Sequence, residues 1–219
     1  MGNTEFGIDI PTIDGITKQI SDIYKRGIKI SIVVGGGNIF RGSSGHSKGM
    51  DRTSADYTGM MATVINSLLL QSSLEKLKIP TRVLSAIKMD TICEPYIKRR
   101  AIRHIEKGRV VIFAAGTGNP YFTTDTAAAL RASEMKCDVI FKATKVDGIY
   151  DSDPVVNKKA KKYKNISYDE VIKNDLKIMD TASISLSREN KISIIVFSLL
   201  EENSLIKVSN GKGNFTIIS

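Results

Sequence analysis

The chain has 219 residues, of which 42% are hydrophobic and 25% charged, and a formal net charge of +9. This size and balance are typical of a soluble single domain with a proper core, and no segment is long and apolar enough to span a membrane. The positive residues are scattered without interleaved stacking aromatics, which argues against specific nucleic-acid binding and leaves an affinity for anionic substrates. Cys93 and Cys137 are far apart without metal-ligand spacing, as expected of two reduced thiols in a cytoplasmic protein.

In the first half of the chain, apolar patterns of helical and strand type alternate. Ile13, Ile16 and Ile20 recur every three or four residues and predict an amphipathic helix, which Thr12 can cap and Gly27 can end. The predicted elements are a helix Asp9–Arg26, a strand Ile28–Val34, a helix from about Ser54 to Lys76, a strand Thr81–Ile87, a helix Tyr96–Lys107 and a strand Arg109–Phe113.

The alternation continues through the second half. The predicted elements are a helix Thr124–Met135, a strand Val139–Lys142, a loop-rich region Thr144–Asn165, short helices Ser167–Asn174 and Thr181–Glu189, and strands Ile192–Phe197 and Phe215–Ile218. Strands that alternate with helices predict an α/β fold, in which a mainly parallel sheet is covered by helices on both faces as a three-layer αβα sandwich.

A glycine-containing loop, Gly116-Thr-Gly-Asn-Pro-Tyr-Phe-Thr-Thr-Asp125, lies between a predicted strand and a predicted helix. Thr123 or Thr124 can cap that helix, and Asp125 is an acid in its first turn. The backbone N–H groups and the positive end of the helix then point at one place, which predicts an anion or nucleotide site. The dinucleotide fingerprint is excluded because Tyr121 stands where it needs a third glycine, and the P-loop because its Gly-Lys-Ser/Thr is absent. The alternative is a glycine turn that binds nothing.

A second loop, Gly35-Gly-Gly-Asn38, follows the strand Ile28–Val34 directly. Consecutive glycines are favoured where a ligand must approach the main chain, and Arg41 is suited to bidentate recognition of phosphate. Because ligands collect at the carboxyl ends of parallel strands, the two loops predict two phosphate-bearing groups at one sheet edge.

Three motifs together resemble those of bacterial uridylate kinases, in the amino acid kinase superfamily: Gly35-Gly-Gly-Asn-Ile-Phe-Arg-Gly42, the loop Gly116–Asp125, and Lys142-Ala-Thr-Lys-Val-Asp-Gly-Ile-Tyr150. The resemblance covers essentially the whole chain. It implies the amino acid kinase fold and phosphoryl transfer from ATP to UMP, giving UDP and ADP, with Mg²⁺ as the cofactor of ATP. It also implies one domain of two lobes, 1–115 mainly for UMP and 116–219 mainly for ATP.

The resemblance assigns roles to individual positions. The UMP-binding positions are Gly36, Asp56, Thr117, Gly118, Asn119, Pro120, Tyr121, Phe122, Thr123 and Thr124. The ATP-binding positions are Gly37, Arg41, Thr144, Tyr150 and Asp153, and Gly37 and Arg41 face the transferred phosphate. The positions that match a GTP activator site are Gly2, Asn3, Thr4, Glu5, Phe6 and Gly7. A homohexamer built through the long helices, and UTP as an inhibitor, are further expectations from the family.

The catalytic candidates are Arg41, Asp125 and Asp180. The two carboxylates could organise Mg²⁺ or hold a lysine in place, although the Mg²⁺ ligands stay unassigned. Each has a structural alternative: Asp125 favours a helix N-terminus, and Asp180 can cap the helix that begins near Thr181.

The family opens with an apolar strand and a Lys-x-Ser-Gly-Glu loop that holds the ATP phosphates, and neither occurs after Met1. Lys142 and Lys145 are cationic candidates from other loops. Two explanations stay open: a natural protein that begins upstream of Met1, which we expect, or a truncated product. As written, the chain is expected to have little kinase activity, and a nucleotide-binding or regulatory protein without catalysis is the alternative function.

Overall fold

The computed structural model describes residues 7–41, 49–154 and 156–219. The chain divides into two compact units, Met1–Ala128 and Ala129–Ser219. The predicted lobes 1–115 and 116–219 are a different kind of division, because each is defined by the ligand that it would bind. They stay a prediction.

The first unit is a parallel sheet with helices. Its helices are α1 (Ile10–Tyr24), α2 (Arg52–Lys76), α3 (Lys98–Glu106) and the start of α4 (Thr124–Met135), and its strands are β1 (Ser31–Val33), β2 (Thr81–Ser85), β3 (Glu94–Pro95) and β4 (Val110–Ala114). The strand order is β1-β4-β2-β3, and every pairing is parallel. Every residue of β4 is buried, as its continuous apolar sequence predicts for a central parallel strand.

Polar groups as well as apolar ones join α1 to α2. The Thr17 and Ser73 hydroxyls are 3.0 Å apart, and the Ser73 hydroxyl donates to the Asp14 carboxylate. Because both hydroxyls are buried and bonded, the contact costs little desolvation and sets the position of α1 along α2.

The second unit has a mixed sheet. Its elements are the end of α4, β5 (Val139–Thr144), β6 (Ile149–Tyr150), β7 (Lys162–Tyr163), β8 (Asn165–Ile166), α5 (Tyr168–Lys173), α6 (Thr181–Glu189), β9 (Ser193–Ser198), α7 (Ser204–Ser209) and β10 (Phe215–Ile218). The order is β5-β9-β10-β8, in which only the pair β9–β10 is antiparallel among the described strands. Strands β6 and β7 form a separate antiparallel pair. Ile184, Ile194, Val196 and Ile218 are nearly inaccessible to solvent and lie at the centre of its core.

The α/β fold with a mainly parallel arrangement is confirmed, with local corrections. Asp9, rather than Thr12, caps α1, because its carboxylate accepts the backbone N–H of Thr12. The predicted strand Ile28–Val34 is paired only over Ser31–Val33. Helix α7 and the two-residue strands were not predicted. In the described part of the chain, no helix is long and apolar enough to cross a membrane.

Candidate active site

The loop after β1 is fastened to α2 by one amide side chain. The Asn66 Nδ2 group donates to the Gly35 carbonyl across 2.8 Å and to the Asn38 Oδ1 atom across 2.7 Å. Asn38 is bonded in turn to Gly7, whose N–H donates to the Asn38 carbonyl across 2.7 Å. Gly7 is the one described residue of the segment matched to a GTP site, since Gly2, Asn3, Thr4, Glu5 and Phe6 lie outside the described residues.

Gly36 is packed directly against the backbone of α2. A Cβ atom at this position would lie 2.7 Å from the Gly59 carbonyl oxygen and 2.7 Å from the Ala62 Cβ atom. Contacts this short do not occur between real atoms, so helix packing alone requires glycine here. A ligand is a second possible reason for this glycine, not a necessary one.

Arg41 folds back onto the same loop. The N–H groups of Ile39 and Phe40 both donate to the Gly36 carbonyl, which closes a turn. The Arg41 Nε atom then donates to the Gly37 carbonyl across 3.3 Å while the side chain stays exposed. This turn places a guanidinium group beside the glycines, as the sequence predicts for a phosphate site.

The loop between β4 and α4 begins with left-handed backbone. Ala115, Gly116 and Gly118 have φ angles of 61°, 56° and 81°, and the Ala115 N–H donates to the buried Thr63 hydroxyl across 2.8 Å. The Thr117 hydroxyl accepts the Asn119 N–H across 3.1 Å and tightens the next turn. A hydrogen bond within the loop and a second one to Thr63 of α2 therefore fix the first part of the loop.

Asp56 fastens the second part of this loop. Its Oδ2 atom accepts the Tyr121 backbone N–H across 2.8 Å and pairs with the Arg52 Nε atom, also across 2.8 Å. The Arg52 guanidinium lies 5.4 Å from the centre of the Tyr121 ring, within the range of a cation–π contact. The Tyr121 and Phe122 side chains are nevertheless 68% and 53% exposed. The main chain is thus fixed while two aromatic rings remain accessible.

Thr123 is the cap of α4. Its hydroxyl accepts the N–H groups of Asp125 and Thr126, at 3.1 and 3.3 Å, and Asp125 is the acid of the first turn. A Cβ atom on Gly35 would lie 3.9 Å from the Thr124 hydroxyl oxygen. Since β1 and β4 are parallel neighbours, both loops leave the same edge of the sheet, as predicted.

In the second unit, Thr144 and Tyr150 lie at the end of β5 and in β6. The Thr144 hydroxyl accepts the Val146 N–H across 2.9 Å, which turns the chain after β5. The Tyr150 hydroxyl donates to the Asp147 Oδ1 atom across 2.6 Å, and the Lys162 ammonium lies 2.8 Å from the Oδ2 atom. The Asp153 carbonyl accepts the N–H groups of residues 156 and 157.

Two pKa values are displaced in this group. Burial acts to raise the pKa of Asp147, but hydrogen bonds from Lys162 and Tyr150, with the charge of Lys162, outweigh it and leave that pKa below its usual value. The hydrogen bond to Asp147, together with burial and the charge of that carboxylate, raises the pKa of Tyr150 to about 12.

Asp180 is the N-cap of α6, where its carboxylate accepts the Ser183 N–H across 2.7 Å. Its structural alternative is therefore confirmed, and a role for Asp125 or Asp180 toward Mg²⁺ stays a prediction. No group of three or more His, Cys, Asp or Glu side chains is arranged to hold a metal ion within residues 7–41, 49–154 and 156–219. Single carboxylates suit Mg²⁺ that keeps water and phosphate ligands, rather than an all-protein cage.

The predicted residues fall into two groups. Gly36, Gly37, Arg41, Asp56 and the loop Thr117–Asp125 come together in the first unit. Thr144, Tyr150, Asp153 and Asp180 belong to the second.

Sequence reasoning missed several residues that hold these groups in place. These are Arg52, Thr63, Asn66, Asp147 and Lys162. One signal was available, since Arg52 and Asp56 have the i,i+4 spacing of a helical ion pair.

Comparisons with known proteins show the family of this chain. The model of the Amino acid kinase family matches residues 3–198. A uridylate kinase of Hyphomonas neptunium is 56% identical over 219 residues, which are 100% of this chain and 87% of that protein. A uridylate kinase of Wolbachia sp. subsp. Brugia malayi is 58% identical over 219 residues, 100% of this chain and 89% of the relative.

A solved structure is similar over the same length. The crystal structure of UMP kinase from Ureaplasma parvum matches with a TM-score of 0.95 and 42% identity, and the match covers 100% of this chain and 93% of that one. With the family model and relatives this similar over the full chain, the protein belongs to the amino acid kinase family and, within it, to the uridylate kinases, which are phosphotransferases.

Proposed function

We propose that this chain transfers a phosphoryl group from ATP to UMP and releases UDP and ADP. One observation supports this reaction above the others. The loop Gly116–Asp125, whose sequence resembles that of uridylate kinases, is fastened to α2 through Asp56, and its Thr124 hydroxyl oxygen lies 3.9 Å from the position of a Cβ atom on Gly35 of the β1 loop. Phosphoryl transfer depends on positioning and charge neutralisation more than on a nucleophilic side chain.

On the acceptor side, we assign UMP to the loop Thr117–Thr124 with Gly36 and Asp56. The N-terminus of α4 is the positive end of the helix dipole, which favours the phosphate of a nucleotide. The exposed rings of Tyr121 and Phe122 provide apolar surface for a base. Arg41 supplies the positive charge near the group that is transferred.

On the donor side, we assign ATP to Thr144, Tyr150 and Asp153, and the family resemblance adds Gly37 and Arg41 as further ATP-binding positions. Mg²⁺ bound to ATP would neutralise phosphate charge, and Asp125 or Asp180 would hold it or its water. This chain's own residues would bind and orient the nucleotide.

A coupled assay of ADP release with UMP, CMP and AMP in turn, on a protein that carries the full family sequence, tests the proposal. We expect fast, UMP-dependent release and slow release with the other two nucleotides. Equal rates on all three, or no reaction with UMP in a protein that carries the full family sequence, would overturn it.

The alternative from the sequence, a nucleotide-binding protein without catalysis, stays a prediction. Calorimetry separates it from the main proposal. Binding of UMP or GTP without turnover, both in the 219-residue chain and in a form extended upstream of Met1, would favour the alternative.

We also propose assembly through α2 into a homohexamer. Tyr57, Met61 and Ile65 follow one another at i,i+4 spacing on this helix and are 43%, 37% and 43% exposed, which makes an apolar stripe on its outer face. Activation by GTP through Gly2–Gly7, inhibition by UTP and a cytoplasmic location remain predictions from the sequence.

A further inference from the structure

The Asp147 carboxylate joins two strands of the β6–β7 pair. One oxygen accepts the Tyr150 hydroxyl across 2.6 Å, and the other lies 2.8 Å from the Lys162 ammonium. Tyr150 and Lys162 are partners in the antiparallel register, so the carboxylate bridges the side chains of residues directly opposite each other.

The Lys162 side chain packs closely against Gly148. A Cβ atom on Gly148 would lie 2.5 Å from the Lys162 Cε atom and 2.7 Å from the Thr216 hydroxyl oxygen. The lysine stem therefore crosses directly over the glycine. Thr216 is fully buried, accepts the Ile149 N–H across 3.0 Å and donates to the Tyr163 carbonyl, so β6 and β7 are both fastened to β10.

The ion pair is partly shielded from water. The Lys162 and Asp147 side chains are 24% and 30% exposed, in contrast to 80% and 54% for the surface pair Lys88–Asp90. A shielded pair with an additional hydrogen bond holds its geometry better than an exposed one. Removal of the ammonium would leave the carboxylate without its main partner, and Asp147 would then turn toward water and release the Tyr150 hydroxyl.

From this geometry we propose that Lys162 is a positioning residue of the donor-nucleotide site: through Asp147 it fixes the Tyr150 ring and thereby sets the affinity for ATP. The inference rests on the proposed function, in which Tyr150 belongs to the ATP site. Lys162 acts through two other side chains and does not touch the transferred group.

The test is steady-state kinetics of a protein that carries the full family sequence, with the variants Lys162→Met, Lys162→Arg and Lys164→Met. Lys162→Met keeps most of the stem and removes the charge, and we expect the KM for ATP to rise about tenfold, with kcat and the KM for UMP changed less than about twofold. Lys162→Arg keeps a cation and restores part of the affinity. Lys164 is exposed in the neighbouring strand segment, so Lys164→Met is a matched loss of charge that leaves all three constants unchanged.

A second variant keeps the test decisive if Lys162→Met folds poorly. Tyr150→Phe removes only the hydroxyl and retains the ring and the ion pair. It should raise the KM for ATP by a smaller factor, and the double variant should be no worse than Lys162→Met, because both changes break the same connection.

Several results would overturn the inference. Equal falls in kcat and kcat/KM would mean that Lys162 contacts the transferred phosphate, and a lower melting temperature with unchanged KM for ATP would mean a purely structural role. Full additivity of Lys162→Met and Tyr150→Phe would show that the two residues act separately. If the parent protein neither turns over UMP nor binds a non-hydrolysable ATP analogue, the proposed function fails and the inference with it. If the parent is active and Lys162→Met binds ATP normally, the inference is contradicted while the proposed function stands.

Discussion

The backbone N–H of Tyr121 donates a 2.8 Å hydrogen bond to the Asp56 carboxylate, across 65 positions of the chain. The carboxylate is also paired with Arg52 and is only 12% exposed, so its charge is partly shielded. A hydrogen bond from an amide to a shielded carboxylate is stronger than one between neutral groups. Asp56 thus connects the first turns of α2 to the middle of the loop that we assign to UMP.

Substitution Asp56→Ala should loosen that loop. The Tyr121 N–H and the Arg52 guanidinium both lose their acceptor, and a charged hydrogen bond of this kind is worth about 1.5–3 kcal/mol. We expect the KM for UMP to rise at least about tenfold while the KM for ATP changes little, as measured by initial rates with each substrate varied in turn.

Asp51→Ala is the control for this experiment. Asp51 caps the same helix through the Ser54 N–H but makes no described bond to the loop. Its loss should cost about 0.5–2 kcal/mol of stability and leave the KM for UMP unchanged. A similar KM increase in both variants would show that general weakening of α2, and not the bond to Tyr121, causes the effect.

The close contact of Gly36 with α2 predicts a difference between neighbouring glycines. In Gly36→Ala the new methyl group would meet the Gly59 carbonyl at 2.7 Å, so α2 or the loop must move, at a cost of about 1–3 kcal/mol. In Gly35→Ala the nearest atom is the Thr124 hydroxyl oxygen at 3.9 Å, an ordinary contact. Urea unfolding of both variants should show a clear loss of stability for Gly36→Ala alone. Equal losses would contradict the packing argument.

The raised pKa of Tyr150 predicts a loss of stability at alkaline pH. The pKa is about 12 in the folded protein and 10.0 for an ordinary tyrosine. Between these values the unfolded chain has lost a proton that the folded chain keeps, so the free energy of unfolding falls as pH rises. The contribution of Tyr150 to the free energy of unfolding is complete below about pH 10 and is lost as the pH rises to about 12.

The variants Asp147→Asn and Tyr150→Phe check this prediction. Tyrosinate absorbance, compared with that of Tyr150→Phe, isolates the titration of Tyr150 from that of Tyr168, whose pKa burial also raises. In Asp147→Asn the negative charge is gone, and the Tyr150 pKa should move down toward 10. An unchanged titration in Asp147→Asn would show that the carboxylate is not the cause.

If the apolar stripe on α2 is the interface, one charged side chain introduced into it should prevent assembly. In Met61→Glu or Ile65→Glu, a carboxylate would be buried at the interface without a partner, which costs several kcal/mol. Sedimentation should therefore show smaller species than for the parent. Val156→Glu is the matched control, because Val156 is 83% exposed and lies outside the stripe. Intact assemblies in both stripe variants would exclude α2 as the interface.

Elements with local start signals were predictable from the sequence. Helices α4 and α6 begin and end where predicted, since Thr123 and Asp180 supply side-chain caps in front of them. Helix α7 was missed because its six residues are too few to show a helical repeat, and the two-residue strands are too short to show an alternating one.

The site was predictable only in part, because some of its hydrogen bonds join residues that are distant in the sequence. The glycine loops and Arg41 are visible as consecutive residues after a strand. The bonds of Asp56 to Tyr121, and of Asp147 to Lys162, depend on the tertiary fold, because their partners lie far apart in the chain or across a paired strand. The UMP-binding role expected for Asp56 stays a prediction beside the structural role that its bonds define.

Whether UMP is the phosphoryl acceptor is measured most directly by ADP release from a protein that carries the full family sequence, with UMP compared with CMP and AMP at equal concentration. We expect that only UMP gives fast release, and that Asp56→Ala slows it through a higher KM for UMP. Equal release with all three acceptors, or a KM for UMP that Asp56→Ala leaves unchanged, would contradict it.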